Sequence, residues 1–162
     1  SAKDVGKLTG EAPNAFLMGG GMGGAITMAL GLALAQPERA VLAVFGDGEC
    51  LMNAGSLSTV GFMQPDNLAM LCVDNGTYGE TGNQLTHTAR NADLELIARG
   101  CGIDSTLTVH SEEHYADAAT LLRKDGAPRF ILLRVSDAAP PSYGRNFDAV
   151  ERKTLFRRAL LG

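Results

Sequence analysis

Short apolar runs, each followed by a helix-like segment, set the fold class of this chain. The runs at 40–45 (AVLAVF), 68–73 (LAMLCV) and 129–135 (RFILLRV) are apolar on both faces, as in strands buried inside a parallel sheet. A shorter strand is predicted near 105–109, and helices are predicted over 23–36, 54–63, 93–99, 112–124 and 147–161. This alternation favours a mostly parallel sheet with right-handed crossovers, and hence a three-layer α/β/α fold.

Several helix boundaries carry their own chemical signals. Pro37 ends the first predicted helix, and Gly100 ends the helix that begins after Asp93. Asn53 and Asp93 are of the residue types that cap helix N-termini, and Ser111 has the same property before the helix over 112–124. The stretch 74–92 between these elements is polar and loop-like, and loops of more than about 12–15 residues in a compact domain are usually functional or disordered.

Length, charge and cysteine content narrow the class of protein. A chain of 162 residues predicts one domain, 1–162, with a substantial core. The net charge is −4 and no basic run extends beyond Arg157-Arg158, which argues against a nucleic-acid partner. No apolar segment reaches the length of about 18–20 residues that a membrane span needs. Three widely spaced cysteines fit neither a disulfide framework nor a zinc site, and predict reduced thiols in a cytoplasmic protein.

Unusual polar residues follow two of the predicted strands. Gly46-Asp47-Gly48 comes directly after the first strand, and Asp74-Asn75-Gly76 comes after the second. The 26 residues between Gly48 and Asn75 are enough for a helix and a strand, which return the chain to the same edge of the sheet. In such folds ligands bind at the carboxyl ends of the strands. A tight turn is the alternative reading of Gly-Asp-Gly alone, because both residue types are common turn formers.

The side chains at these strand ends suit a magnesium ion. Asp47 offers an anionic oxygen and Asn75 a neutral amide oxygen, and Mg²⁺ takes six oxygens that it usually shares with a phosphorylated ligand. A helix that begins after Gly48 would add free N–H groups that favour a phosphate. The two strand ends therefore predict a magnesium and phosphate site.

Residues 46–80 (GDGECLMNAGSLSTVGFMQPDNLAMLCVDNGTYGE) resemble the cofactor motif of thiamine diphosphate enzymes, which is Gly-Asp-Gly, about two dozen residues, and Asn-Asn. Asp74 replaces the first Asn, whereas Asn75 matches the metal-binding one. The resemblance implies that Asp47, the Asn75 side chain and the Thr77 carbonyl are Mg²⁺ ligands. It also places the following residues along the diphosphate: Gly48, Glu49, Tyr78 and Gly79.

Residues 17–35 (LMGGGMGGAITMALGLALA) resemble the segment that precedes this motif in the same family. The resemblance implies that Met22 props the two cofactor rings into a V shape and that the Gly20 carbonyl accepts a hydrogen bond from the 4′-amino group, with Gly21 between them. A polarizable, flexible methionine suits such a wedge. A glycine-rich turn followed by a core methionine is the alternative interpretation.

The resemblance spans residues 15–135 and one domain of these enzymes, the diphosphate-binding domain. It implies a second subunit, which binds the pyrimidine ring and supplies the activating Glu, in a hetero-oligomer such as α2β2 or larger. Relatives usually begin with a further helix and strand. The start of this chain therefore predicts a trimmed N-terminus or a sheet that lacks one strand.

Residues 76–89 (GTYGETGNQLTHTA) are similar to the same loop in sulfopyruvate and phosphonopyruvate decarboxylases. That similarity implies release of CO₂ and an aldehyde from a small anionic 2-oxo acid. The expected substrate-side residues are Glu80, Thr81, Gln84, Thr86 and His87, although His87 would equally suit an exposed loop. The alternatives are a carboligase resembling acetolactate synthase, a 2-oxo acid oxidoreductase, and a non-catalytic module that only binds a partner.

Overall fold

The computed structural model describes residues 1–139, 141–144 and 146–162. They fall into two compact units, one formed by Ser1–Met22 with Ala138–Gly162 and the other by Gly23–Asp137. Pro140 and Arg145, in the proline- and glycine-rich segment after the last predicted strand, lie outside the described residues.

A four-stranded parallel sheet organises the unit Gly23–Asp137. The strands of this unit are β1 (Val41–Gly46), β2 (Leu68–Asp74), β3 (Thr77–Tyr78), β4 (Gln84–Leu85), β5 (Ser105–Val109) and β6 (Arg129–Arg134). The parallel sheet has the order β1-β2-β6-β5, and β3 and β4 form a separate antiparallel pair. All four predicted strands are present, and the α/β prediction is confirmed.

Seven α-helices accompany the strands in the described residues. They are α1 (Ala2–Thr9), α2 (Ala25–Ala35), α3 (Asp47–Met52), α4 (Gly55–Met63), α5 (Leu94–Gly100), α6 (Tyr115–Arg123) and α7 (Ala149–Leu161). Two 3-10 turns, His87–Ala89 and Glu112–His114, interrupt the connections. The loop over 74–92 thus contains a small hairpin and one 3-10 turn.

The sheet buries side chains on both faces, which is why its strands are apolar in both directions. On one face, Phe45, Met70 and Phe130 are fully buried in a cluster that includes residues of α2, α4 and α5. On the other face, Val109 and Ile131 pack with Ala118 of α6. Helices therefore cover both faces of the sheet within this unit, as the three-layer prediction requires.

The predicted helix boundaries have different outcomes. Asp93 caps α5 as predicted, with its carboxylate accepting from Leu96 N at 3.0 Å. The predicted cap at Asn53 is wrong, because its side chain donates to the Gly23 carbonyl at 2.9 Å and α4 begins without a side-chain cap. A long-range contact has replaced the local one. Ser111 precedes the 3-10 turn, and α6 begins only at Tyr115.

The unit formed by the two chain ends is held by a buried arginine. Arg152, on α7, is 5% exposed and pairs with Glu11 at 3.0 Å. Its second terminal nitrogen donates to the Ala15 carbonyl at 2.7 Å. Phe16 and Phe156 pack edge to face in the same unit, with ring centroids 5.5 Å apart. These contacts fix the chain segment that leads to Gly20.

A glycine in α4 tests the packing of the larger unit. A Cβ on Gly61 would lie 1.8 Å from the Cys101 carbonyl oxygen, so Gly61→Ala forces two backbone segments apart. We expect the free energy of unfolding to fall by about 1–3 kcal/mol. Gly31→Ala is the matched control in α2, where a Cβ meets nothing within 4 Å. It should raise stability by about 0.5–1 kcal/mol, because alanine is favoured inside helices. Equal denaturation midpoints for the two variants would contradict this packing.

Candidate cofactor site

The carboxyl edge of the sheet brings the two motif segments together. β1 and β2 pair in parallel with Gly46 opposite Val73, so their carboxyl ends lie side by side. Asp47 is the first residue of α3, directly after β1, and Asn75 directly follows β2. The structure thus places both residues at the edge that their spacing predicts.

Two hydroxyl groups hold the carboxylate of Asp47. Asp47 is 1% exposed, and its Oδ2 accepts a hydrogen bond from Thr86 Oγ1 at 2.5 Å. Thr88 Oγ1 lies 3.1 Å from the same oxygen, and both threonines are buried. All these hydroxyl contacts go to Oδ2. Neither threonine contacts the other carboxylate oxygen, Oδ1.

A second buried carboxylate lies beside the first. Asp74 is 2% exposed, and its Oδ1 lies 2.8 Å from Thr88 Oγ1 and accepts from Gly76 N at 3.0 Å. Arg134, its neighbour on β6, brings Nη1 to 2.8 Å from Asp74 Oδ2. That contact is an ion pair rather than an aligned hydrogen bond. Arg134 thus balances one of the two buried charges.

Burial raises the pKa of Asp47 above its ordinary value, and the nearby charge of Asp74 acts in the same direction. The hydrogen bonds from Thr86 and Thr88 oppose this rise, because they stabilise the ionised carboxylate. Burial and the neighbouring charge therefore disfavour the ionised form of Asp47. A cation beside it would be stabilised.

The amide of Asn75 is oriented by its nitrogen. Its Nδ2 donates to Asp137 Oδ1 at 3.0 Å and to Thr77 Oγ1 at 2.9 Å. Thr77 Oγ1 also donates to Asp137 Oδ1 at 2.9 Å. The amide oxygen accepts a long hydrogen bond of 3.3 Å from Thr77 N. An open cavity of about 470 Å³, lined in part by Asn75, Thr77 and Asp137, adjoins this group.

The β3–β4 segment returns the chain to the strand ends. Gly76 has φ +71°, a conformation that favours glycine, and its carbonyl accepts from Thr86 N at 2.8 Å. This bond fixes the position from which Thr86 and Thr88 reach Asp47. The Tyr78 ring packs directly on Gly48, where an added Cβ would lie 2.4 Å from a ring carbon. Only glycine leaves room for that ring.

Glu49 has a structural partner. Its Oε1 accepts from Ala25 N at 3.1 Å, at the start of α2, where the N-cap Gly24 has no side chain to offer. Burial raises the pKa of Glu49. With the bond from Asn53 to the Gly23 carbonyl, this contact ties the start of α2 to α3.

The three residues expected to support the cofactor rings belong to the unit of the chain ends. Gly20 has φ +74°, and the space that a Cβ would occupy there is open, which suits a sharp backbone turn. A Cβ on Gly21 would lie 2.8 Å from the Met18 methyl carbon. Met22 is 47% exposed, so it is not a core methionine of the described structure.

The expected substrate-side residues lie, with one exception, on the outside of the loop. Glu80, Thr81, Gln84 and His87 are all exposed. Thr81 and Gln84 close a small turn, with a side-chain hydrogen bond of 2.9 Å between them. The exception is Thr86, which is buried against Asp47 instead of facing a substrate.

Sequence reasoning missed three contributors, namely Thr88, Arg134 and Asp137. Thr88 had a weak signal, as a second hydroxyl two residues after Thr86 in the polar loop that follows β2. Arg134 had a weaker one, as a charge near the end of an apolar strand. Asp137 had none, since only the folded chain brings it to Asn75.

The donor set fits magnesium better than a transition metal. In the described part of the chain, no group of three or more His, Cys, Asp or Glu side chains is arranged to hold a metal ion. One carboxylate oxygen, one amide oxygen and a loop carbonyl are hard donors, and Mg²⁺ is commonly held by only one or two carboxylates together with phosphate oxygens.

A protein-family model described as thiamine pyrophosphate enzyme, C-terminal TPP binding domain, matches residues 4–133. Thiamine pyrophosphate is another name for thiamine diphosphate. The match covers most of the chain, and the chain belongs to this family. No helix among the described residues is long and apolar enough to cross a membrane.

Curated relatives narrow the comparison. The sulfopyruvate decarboxylase subunit beta of Methanocaldococcus jannaschii is 47% identical over 110 residues, which are 68% of this chain and 58% of that protein. Its counterpart in Methanococcus maripaludis is 40% identical, over 82% of this chain and 70% of that protein. The phosphonopyruvate decarboxylase of Streptomyces viridochromogenes is 41% identical, over 80% of this chain and 32% of that protein. The chain thus spans between about a third and seven tenths of these relatives.

Solved structures agree with the family. A thiamine diphosphate-dependent 4-hydroxybenzoylformate decarboxylase from Rhodococcus jostii superposes with a TM-score of 0.62 at 25% identity. The match covers 72% of this chain and 24% of that one. A thiamine diphosphate-dependent enzyme from Mycobacterium smegmatis superposes with a TM-score of 0.61 at 27% identity. The chain thus shares its fold with about a quarter of each of these structures.

The contact between Gly48 and Tyr78 can be tested without any ligand. Gly48→Ala places a methyl group in steric clash with the edge of the Tyr78 ring. We expect the free energy of unfolding to fall by about 1–3 kcal/mol. Tyr78→Leu combined with Gly48→Ala should recover part of that loss, because the smaller side chain leaves room for the methyl group. Strictly additive effects in denaturant titrations would show that the two residues do not touch.

Proposed function

We propose that this chain is the diphosphate- and magnesium-binding subunit of a heteromeric, thiamine diphosphate-dependent 2-oxo acid decarboxylase that releases CO₂ and an aldehyde. One observation carries the proposal. Asp47 and Asn75 lie at the ends of adjacent parallel strands, where hydrogen bonds to Asp47 Oδ2 and from Asn75 Nδ2 orient the two side chains.

Three oxygen donors of the chain would hold the metal ion, namely Asp47, the amide of Asn75 and the Thr77 carbonyl. They fill half of an octahedral shell and leave positions for two diphosphate oxygens and a water. Four residues are proposed to lie along the diphosphate: Gly48, Glu49, Tyr78 and Gly79. Since the Glu49 carboxylate caps α2, its contribution would come from the backbone.

Thiamine diphosphate, when bound, supplies the electron sink that lets CO₂ leave a 2-oxo acid. The chain's own residues anchor and orient it. On the family resemblance, Met22 supports the rings, the Gly20 carbonyl accepts a hydrogen bond from the amino group, and Gly21 allows close approach of the backbone.

The substrate is proposed to be a small 2-oxo acid with a second anionic group. The names of the relatives, sulfopyruvate and phosphonopyruvate decarboxylase, support this choice. The candidate contacts are Glu80, Thr81, Gln84 and His87. Of these, His87 can become positively charged and would attract an anion, whereas an ionised Glu80 would repel one.

A partner subunit is proposed to complete the enzyme. Two relatives are named subunit beta, and the chain covers only 26% of a sulfopyruvate decarboxylase from Methanosarcina acetivorans. The partner would bind the pyrimidine ring and supply the activating Glu, in an α2β2 or larger assembly. A cytoplasmic setting is consistent with three unpaired cysteines.

Other reactions of the same cofactor remain alternatives. The subunit KorB of a 2-oxoglutarate synthase from Methanocaldococcus jannaschii is 25% identical over 135 residues, which are 74% of this chain. A carboligase would give a ligated product instead of an aldehyde, and an oxidoreductase would pass electrons to an acceptor. Product analysis separates the three reactions. A non-catalytic module would form the complex without turnover.

Asp47→Ala tests the proposed role of Asp47 as a magnesium ligand. The chain, mixed with its pyrimidine-binding partner, should bind thiamine diphosphate in a magnesium-dependent way by calorimetric titration. Asp47→Ala should abolish that binding, because it removes the only carboxylate among the proposed ligands. Asp104→Ala is the control, since this Asp is exposed and distant in the fold. Unchanged affinity in Asp47→Ala would show that the anchor is assigned wrongly.

The reaction is tested on the same complex. Sulfopyruvate and phosphonopyruvate are offered with pyruvate as the uncharged-tail comparison, and CO₂ and aldehyde are measured together. Equal amounts of both products from an anionic substrate are expected. Magnesium-dependent binding without any CO₂ release would favour the alternative reactions over decarboxylation.

A further inference from the structure

We infer that Thr88 is a positioning residue for the magnesium ligand Asp47, and that the ion pair between Asp74 and Arg134 holds Thr88 in place. This inference rests on the proposed function, because it concerns the same metal ligand. It assigns roles to Thr88 and Arg134, which the cofactor motif does not include, and to Asp74, which replaces the first Asn of that motif.

Thr88 is the group shared by the two buried carboxylates. Its hydroxyl oxygen lies 3.1 Å from Asp47 Oδ2 and 2.8 Å from Asp74 Oδ1. It also lies 2.8 Å from the hydroxyl of Thr86, the other group that holds Asp47. Thr88 is 6% exposed, so water cannot readily replace its hydroxyl.

The position of Asp74 explains why such a bridge is needed. An Asn at position 74 would leave Asp47 as the one buried carboxylate of this pair, whereas this chain buries both Asp47 and Asp74. Two ionised carboxylates in a site of low dielectric repel each other, and hydrogen bonds or a nearby cation offset that repulsion. Arg134 supplies the cation at 2.8 Å from Asp74, and Thr88 supplies the hydroxyl between the two acids.

The bridge also determines which oxygen Asp47 presents. Thr86 donates to Oδ2, and Thr88 shares its single hydroxyl proton between Oδ2 and Asp74 Oδ1. Together the two contacts fix the rotation of the carboxylate and keep Oδ1 for the metal. Without the Thr88 hydroxyl, the contact from Thr86 to Oδ2 remains, and Arg134 and the Gly76 amide alone offset the repulsion between the two acids. A metal ligand that rotates in this way binds Mg²⁺ less well, because Mg²⁺ demands near-octahedral geometry.

The experiment compares Thr88→Val, Thr88→Ser and Thr106→Val in the complex with the partner subunit. Valine keeps the shape of threonine and removes the hydroxyl, whereas serine keeps the hydroxyl. Thr106→Val is the matched control, because the Thr106 hydroxyl also donates to a carboxylate. Its acceptor is Glu95 Oε1, at a distance of 2.8 Å. Thr106 lies on β5, away from the ends of β1 and β2.

We expect Thr88→Val to raise the Mg²⁺ concentration that half-saturates cofactor binding by about tenfold, which corresponds to the loss of a hydrogen bond to a charged group. At saturating Mg²⁺ the affinity for thiamine diphosphate should stay close to that of the wild type. Thr88→Ser should restore the magnesium midpoint, and Thr106→Val should leave it unchanged even where it lowers the melting temperature.

A second measurement follows the network without any ligand. In thermal unfolding of the isolated chain, Thr88→Val and Asp74→Asn should give shifts that are not additive, since both remove the same contact. A magnesium midpoint in Thr88→Val equal to that of the wild type overturns the inference. Failure of the wild-type complex to bind thiamine diphosphate overturns the proposed function itself, so the two failures are distinguishable.

Discussion

Everything at the candidate site depends on the parallel pairing of β1 with β2. A register with Gly46 opposite Val73 brings two segments that are far apart in sequence to one edge of the sheet. A shift of one residue would turn the apolar side chains of β1 to the opposite face. The burial of Phe45 and Met70 in one core therefore fixes where Asp47 and Asn75 lie. The packing of the core therefore also sets the distance between the two candidate ligand residues.

The cost of burying acids explains the polar groups around that edge. Asp47 and Asp74 are nearly inaccessible to water, and an uncompensated buried carboxylate is strongly unfavourable. The chain offsets this cost with two hydroxyls, a backbone amide and Arg134. The compensation is weighted toward Asp74, which leaves Asp47 as the acid that a metal ion would stabilise most.

The fold is predictable from the sequence because parallel strands are apolar on both faces and stand out from their surroundings. The neighbourhood of Asp47 and Asn75 is predictable because strand ends and spacing are local properties. Prediction fails where a side chain has two possible partners. Asn53 is a good helix cap by type, yet its amide binds the Gly23 carbonyl 30 residues away. Thr86 lies in a loop, where exposure to a substrate is the natural expectation, and its burial is decided by the turn at Gly76.

Buried and exposed residues alternate in the loop around and after β4, so substitutions on its two sides have different consequences. Thr86 and Thr88 are buried against the acids, while Gln84 and His87 face outward in the same short stretch. Substitutions on the outer side can change charge and size without touching the support of Asp47. The outer side of the loop can therefore vary in sequence while its inner side stays constant.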